Sequence, residues 1–518
     1  MPRSVFSRLS RVYGQFRPAV ERRAIATAGT ATAEAAFPFV LDSVKLVTPH
    51  TSSVSVAVVG AGLAGLAAGW WLVHHGFRVA VFEARDRTGG RVHTKQRRHF
   101  LLEQGGELIG LNHANWLRFA REFRLGLSLI TDEGAYTQLN LEMPFMLQGK
   151  DVDQDQQQAI FDEMQRIFIA LNSDALSIDP NMPWIAPRAQ EWDSRTVAEW
   201  IEGLPCMNLT KAALRFQFDN NNGVSCDHQS YLGMLVPVSA GCQGLDDPTQ
   251  QPSRYWDESE MYRCASGNQS LADALEADIR RAGGKIVTGR RLNAIDVQSK
   301  GVTLGFEKGN AHKANWVIFA VPPSCWNSIS FDPALDSSYF MQMGTAVKSL
   351  VAVKGRFWLA QGMAPSASSD AVGMIWEGTD NQNIPVGSPA ELSLFAGGSA
   401  AKSVLETYKR EASTRGAIET LYPDLKTNVV SEQFVNWPKI RFTGAGYSCP
   451  APGQVTTVAP KLIEGSGRLV FAGEHTSMAF FGYMEGALES GLRAAQYVAH
   501  REEIPEAQKL WTRKFEIT

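Results

Sequence analysis

The sequence predicts an α/β fold of more than one domain, and three observations carry that expectation. Its 518 residues exceed what a single hydrophobic core usually organises. From residue 54 a β-rich run, a glycine turn, an apolar helix and a second β-rich run succeed one another, the order of a β-α-β unit. Farther along, helical and strand-like stretches follow one another to the C-terminus without a fixed repeat, which excludes a solenoid. The composition, 44% hydrophobic and 20% charged, is that of a globular protein. Fifty Lys and Arg against 53 Asp and Glu leave a net charge of -3, so no overall basic field points to nucleic acid. The longest apolar runs, such as residues 54–68, are broken by glycine and too short to span a bilayer, so no transmembrane segment is expected.

The elements are read in order. Residues 1–53 carry Arg3, Arg8, Arg11, Arg17, Arg22 and Arg23 and then an Ala/Thr-rich stretch over 24–36. A twin-arginine export signal would want a cleaner apolar segment after Arg22-Arg23, and Glu34 interrupts it. An arm or helix packed on the body is expected instead, with export as the lesser alternative. Residues 54–59 form a strand, 60–65 a glycine turn, 66–75 a helix stopped by Gly76, and 77–82 the next strand. The span 154–214 reads as mostly helical. Residues 232–256, with Pro237, Gly241, Gly244, Pro248 and Pro252, read as a long loop and a boundary. A helix over 271–283, strands over 285–292, 316–321, 349–353, 392–396 and 468–473, and a helix over 484–500 complete the chain. Six scattered cysteines without a C-x-x-C pair read as reduced thiols of a cytoplasmic protein rather than a disulfide framework or zinc site.

Gly60-x-Gly62-x-x-Gly65 falls between the first strand and its helix, and Glu83 closes the second strand. Gly60 permits the tight turn, Gly62 lets the backbone approach a pyrophosphate, and Gly65 allows close packing of helix on strand. The helix N-terminus after the turn offers unpaired N–H groups to phosphate, with Leu63 and Ala64 of the turn beside it, and Glu83 can accept hydrogen bonds from an adenosine ribose. This much fits either common dinucleotide.

The continuation Glu83-Ala84-Arg85-Asp86-Arg87-Thr88-Gly89-Gly90-Arg91 resembles the flavin-containing amine oxidase family, in which such a run follows the β-α-β unit and binds FAD. Further likenesses follow in family order. Glu103-Gln104-Gly105-Gly106-Glu107 resembles the glycine pair beside the flavin ring, Ser266-Gly267-Asn268-Gln269-Ser270-Leu271 the segment returning to the FAD domain, and Ala320-Val321-Pro322-Pro323 a strand end passing the cofactor. Leu292 matches a position contacting adenine. Lys348, nine residues before Phe357-Trp358, matches a lysine bonded through water to the flavin N5 atom. Trp437 and Tyr447 match a tryptophan near the ring and one aromatic wall. Phe471-Ala472-Gly473-Glu474-His475-Thr476 and Gly482-Tyr483-Met484-Glu485-Gly486-Ala487 are the strongest match: an acid near the ribityl-pyrophosphate, a second aromatic wall, and a residue at the pyrimidine edge. His475, inside the motif, reads as a structural histidine.

The resemblance implies a Rossmann-like FAD-binding domain of the two-dinucleotide-binding-domain type with a second α+β substrate domain. Residues 54–135, 262–325 and 440–518 are assigned to the first, 136–261 and 326–439 to the second, and 1–53 to the arm. Families with covalently attached flavin carry Cys just before the first aromatic wall; here Gly446 precedes Tyr447 and Cys449 lies beyond it, so non-covalent FAD is expected. The implied activity is oxidation of the amine of an L-amino acid with bulky or apolar side chain, to an imine that hydrolyses to a 2-oxo acid and ammonia, with O2 reduced to H2O2. The alternative is a monoamine or polyamine oxidase, with a desaturase or mutase on the same fold behind it. An amino acid requires a cation for its carboxylate. Glu107-Leu108-Ile109-Gly110 stands where L-amino-acid oxidases often carry an arginine and looks more like the monoamine oxidases, so Arg441 is the candidate for that role. The expected partners are a small amine or amino acid and O2, and the expected assembly a homodimer.

Overall fold

The structure is a computed structural model that describes residues 4–14, 53–242, 252–382, 384–385 and 387–502. The expectations for the Ala/Thr-rich stretch and for the loop over 243–251 lie outside the described residues. A five-stranded parallel sheet runs in the order Leu469–Phe471, Trp316–Phe319, Ser55–Val59, Arg78–Phe82, Lys285–Val287. Its strands come from three separated stretches of chain, and their near-continuous apolar character is what a parallel sheet covered on both faces requires. On one face the helices Leu63–His74 and Met484–Arg501 lie against each other. They approach so closely that a Cβ added at Gly491 would stand 2.1 Å from the Ala64 carbonyl oxygen. Across the other face a four-stranded sheet of residues 292–332 packs through Phe82 and Phe306, whose rings are 4.8 Å apart.

The second large sheet has seven strands, in the order Val429–Asn436, Ala346–Val353, Ala390–Gly397, Gly373–Glu377, Ser366–Ser369, Phe145–Leu147, Lys150–Asp151. Side chains alternate between its faces. Val347, Val351, Val353, Leu392, Leu394 and Ala396 enter a core with Ile418, Leu421 and Tyr422. Lys348, which pairs with Phe395, therefore faces the opposite side, toward the parallel sheet. The helix Gln154–Ala175 carries a capping box, Asp153 with Gln156, and buries Ile160, Phe161, Met164, Phe168 and Leu171.

Two expectations change. The 285–292 strand is two strands in different sheets, because Gly289 takes φ of +67° and turns the chain; the Gly289 and Arg290 N–H groups donate to the carbonyls of Arg85 and Glu83. The proline-bearing stretch from 232 is not a loop: Tyr231–Cys242 is a helix buried along its whole length, with Pro237 inside. Proline forfeits one helical hydrogen bond, but a segment apolar on all sides belongs in a core, where the helix satisfies its remaining backbone groups. Of the N-terminal 53 residues, 4–14 and 53 are described. Val5–Tyr13 is a helix that buries Val5, Phe6 and Leu9, and Phe6 stacks on Phe168 at 4.2 Å. Arg8, 2% exposed, donates to the Met143 and Pro144 carbonyls and to Ser368 Oγ. No helix among the described residues is long and apolar enough to cross a membrane.

Candidate active site

The carboxyl ends of the parallel strands open into one cleft of about 1630 Å³, whose lining draws on both large sheets. Ligands of open α/β sheets bind at this edge, because the strand-to-helix turns there leave helix N-termini free. Gly60, Glu83, Ala320 and Gly473 each stand just past the end of a strand. Two helix N-termini meet the cleft without any side-chain cap, at Leu63 and at Met484. Leu63, Ala64, Met484 and Ala487 line it. Unpaired N–H groups at both places suit anionic atoms of a ligand.

One end of the cleft is shaped by close backbone approach. Gly60 has φ of +99°, and a Cβ there would meet the Ala320 carbonyl oxygen at 2.6 Å; a Cβ on Gly90 would stand 3.1 Å from Gly62 Cα. Gly62 and Gly90 both border the cleft, whereas Gly65 lies behind it, pressed on the Gly60 carbonyl as helix–strand packing requires. The Glu83 carboxylate accepts from the Ala61 and Arg85 N–H groups at 2.8 and 2.9 Å and so ties the glycine turn to the second strand. Ala84, Arg85 and Leu292 border the same region. Arg85 donates to Thr443 Oγ1 and to the Arg441 carbonyl. Midway, Arg91 donates to Glu474 at 2.8 Å and to the Gly446 carbonyl at 2.9 Å. Glu474 also accepts from Ser448 Oγ and the Gly482 N–H, both at 2.7 Å. Burial pushes the Glu474 carboxyl up, but Arg91 and the other donors outweigh it and hold the group below the usual range.

At the far end the cleft is bounded by Gly105, Gly106, Glu107, Lys348, Trp376, Trp437, Tyr447 and Tyr483. A Cβ on Gly105 would collide with the Arg91 carbonyl, and one on Gly106 would meet Met484 Cγ at 3.0 Å. Asn268 holds this glycine pair by donating to the Gly106 and Glu107 carbonyls at 2.9 and 2.8 Å. The Trp437 indole donates to the Gln104 carbonyl at 3.1 Å. Tyr447 donates to the Asn221 carbonyl at 2.6 Å, and the Tyr483 hydroxyl is 3.2 Å from that of Tyr255. Burial raises both Tyr447 and Tyr483 well above the usual phenol range, so both walls are neutral. Lys348 Nζ donates to the Glu103 carbonyl at 2.6 Å and to the Glu107 carboxylate. Glu107 also accepts from Arg263 Nε at 2.8 Å and Trp376 Nε1 at 2.9 Å. Burial pushes Glu107 up, yet the two cations overcome it and hold the carboxyl at about 2.

The family model described as flavin containing amine oxidoreductase matches residues 63–499, most of the chain. The chain belongs to the flavin-containing amine oxidoreductases. A flavin-containing amine oxidase of Danio rerio is 27% identical over 483 residues, covering 89% of this chain and 88% of its own. Amine oxidase [flavin-containing] A of Bos taurus is 25% identical, covering 91% and 90%. Among solved structures, cyclohexylamine oxidase from Brevibacterium oxydans superposes with a TM-score of 0.73 at 24% identity, over 88% of this chain and 100% of that one. Putrescine oxidase bound to putrescine does so with 0.74 at 20%, over 86% and 99%. The fold is the one these enzymes share.

FAD is the cofactor of this oxidoreductase, and the cleft fits it: two uncapped helix ends, glycines with no room for a Cβ, and an acid ending the second strand. The flavin is held without a covalent link. Position 446 has no space for a cysteine, since a Cβ there would stand 2.7 Å from that of Ala346. Cys449 is fully buried and does not border the cleft. One candidate falls away: Arg441 is exposed, does not border the cleft, and its guanidinium stacks on Phe442 at 4.5 Å. Its backbone belongs to the nucleotide end through Arg85, so proximity in sequence to Tyr447 does not bring it to the ring end. Trp376 and Arg263 were missed. Neither lies in a recognisable motif, and only strand pairing brings them to Glu107.

Proposed function

We propose that this oxidoreductase is an oxidase of apolar primary or secondary monoamines, passing electrons to O2 with release of H2O2. The observation that carries this reading is that each charged group lining the far end of the cleft already has a charged partner within the protein. Lys348 is paired with Glu107, and Arg263 stands behind that same carboxylate. An amino acid needs a cation for its carboxylate, and Arg441, the candidate for it, is elsewhere. A polyamine needs acids along its path. The cleft-lining acids Glu83, Glu107 and Glu474 are already bonded within the protein. What remains for a substrate is neutral: Tyr447, Tyr483, Trp376, Phe395 and Leu108.

Bound FAD supplies the acceptor for a hydride equivalent from the carbon that bears the amine. The chain's own residues orient and desolvate. Two neutral phenols flank the substrate, and an apolar enclosure disfavours the ammonium form, so the amine is held as its free base with its lone pair available. Lys348 places a fixed donor at the edge of this enclosure. The uncapped Met484 helix end presents a positive dipole where negative charge accumulates. Anaerobic mixing with a phenylalkylamine, the matching L-amino acid and a diamine, followed by flavin absorbance, separates the three substrate classes. Bleaching by the monoamine, with peroxide formed on admitting air, is expected. Bleaching by the amino acid alone would restore the L-amino-acid reading.

A further inference from the structure

Lysine ammonium has three N–H donors and no acceptor. Two of the Lys348 donors are engaged, on the Glu103 carbonyl and on Glu107, which leaves one for the cleft that Nζ borders. Glu107 therefore decides where that third donor points. Its second oxygen orients another lining group, the Trp376 indole, and a second buried cation, Arg263. Arg263 is fixed in turn by the Glu377 carbonyl at 3.0 Å and lies 3.9 Å from Asp380. Lys348 and Glu107 are 3% and 4% exposed in their side chains, so their pairing is largely shielded from bulk solvent.

We propose that Glu107 is the positioning residue of this active site, its carboxylate holding the Lys348 ammonium and the Trp376 ring in place at the far end of the cleft. The charged and titratable groups facing Lys348 are few. They are Glu107 from the glycine-pair loop, Glu103 from the strand Leu101–Glu103, Arg263 from Tyr262–Cys264 and Glu391 from Ala390–Gly397. The strand Val429–Asn436 sets Val435 opposite the lysine. Burial, with the Glu107 charge beside it, raises Glu391 to about 8, and burial raises Glu103 to about 7. Glu107 is thus the one strongly acidic group of this cluster. It rests on the amine-oxidase reading only for the rates below.

The test begins on the flavin-free protein, where substrate identity is irrelevant. A small amine-acylating reagent is added at pH 8, and the Lys348 peptide is followed by mass spectrometry in the wild type and in Glu107→Gln. Without the carboxylate as acceptor, Nζ keeps only the Glu103 carbonyl and is freer to meet the reagent in the cleft. Losing one charge-assisted hydrogen bond is expected to raise labelling by about tenfold or more. In the FAD-loaded enzyme, flavin reduction by the amine should slow, and Glu107→Asp should recover part of the rate and lower the labelling again. Added to Lys348→Met, Glu107→Gln should cost less rate than it does in the wild type, since only its hold on Trp376 is left to lose. Wild-type labelling of Lys348 in a folded Glu107→Gln protein, or additive rate losses in the double variant, would overturn the proposal. Should Glu107→Gln not fold, Glu107→Asp decides: labelling above the wild type supports the assignment, and labelling and rate equal to the wild type reject it.

Discussion

Lys348 and Glu83 each act through two polar contacts within the protein, and each can be removed singly. In Lys348→Met the stem is preserved, and Arg263 and Trp376 still hold Glu107, so the protein should fold and load FAD. Flavin reduction or reoxidation should then slow by ~10²–10⁴-fold, the usual scale for a proton-donating or water-positioning group. Stopped-flow absorbance of the two half-reactions checks this, and normal rates in both would remove Lys348 from the chemistry. Glu83→Ala deletes acceptors for the ribose and also for the Ala61 and Arg85 N–H groups. Charge-assisted hydrogen bonds are worth ~1.5–3 kcal/mol each, so FAD affinity should fall by up to roughly a hundredfold on titrating the flavin-free protein. Gly446 makes a third case. With no cysteine there to link the ring, acid precipitation should leave the yellow colour in the supernatant, and colour in the pellet would refute it.

The helices that frame the cofactor depend on how closely they approach. The Leu63 and Met484 helices carry the two uncapped N-termini, and Gly491 is where they touch. In Gly491→Ala the new methyl would overlap the Ala64 carbonyl, so the helices must part or shift. Overpacking of this kind costs about 1–3 kcal/mol, and here it should also lower FAD occupancy, because Ala64 and Ala487 border the cleft on either side of the contact. Thermal unfolding and the ratio of flavin to protein absorbance measure the two effects. Unchanged flavin content with lowered stability would mean that the contact only packs the core. The Val5–Tyr13 helix shows the same logic at the periphery: its apolar face and Arg8 join the helix Gln154–Ala175 to the strand Ser366–Ser369 of the seven-stranded sheet.

Over the whole molecule, buried titratable groups set how stability follows pH. Burial raises Glu391 to about 8 and Glu103 and Glu485 to about 7, so each is protonated more readily folded than unfolded. The stability these three contribute is complete below the ordinary carboxyl range and is lost as pH rises through 7 and 8. His113 and His475, which burial lowers to about 3 and 4, act oppositely: their contribution is present above the ordinary histidine value of about 6.5 and is lost as pH falls toward 4. Glu107, held at about 2, loses its contribution only in stronger acid. Between pH 6.5 and 8.5 the raised carboxyls therefore act alone, and the melting temperature should fall across that window. Glu391→Gln should flatten the fall; a slope equal to the wild type would show that Glu391 does not titrate there.

The sequence by itself determined the cofactor end. Gly60, Gly62, Gly90 and Glu83 lie where spacing along the chain translates directly into backbone position, so a motif suffices, whereas Glu474 is held by Arg91 and Ser448 from distant segments. Strand alternation also set Lys348 on the face opposite Val347 and Ser349, but only the family resemblance assigned that face to the cleft. The tertiary structure alone decided the chemistry of the far end. Glu107, Arg263, Trp376 and Lys348 lie on four segments spread over more than two hundred positions, and no local pattern records that one carboxylate gathers the other three. The same limit misplaced Arg441, near Tyr447 in sequence but exposed, and the Tyr231–Cys242 helix, where burial on every side outweighs a proline. Backbone-controlled features are legible because their geometry is local. Charge pairing across sheets is not, because its energy depends on which distant groups share the same dry volume.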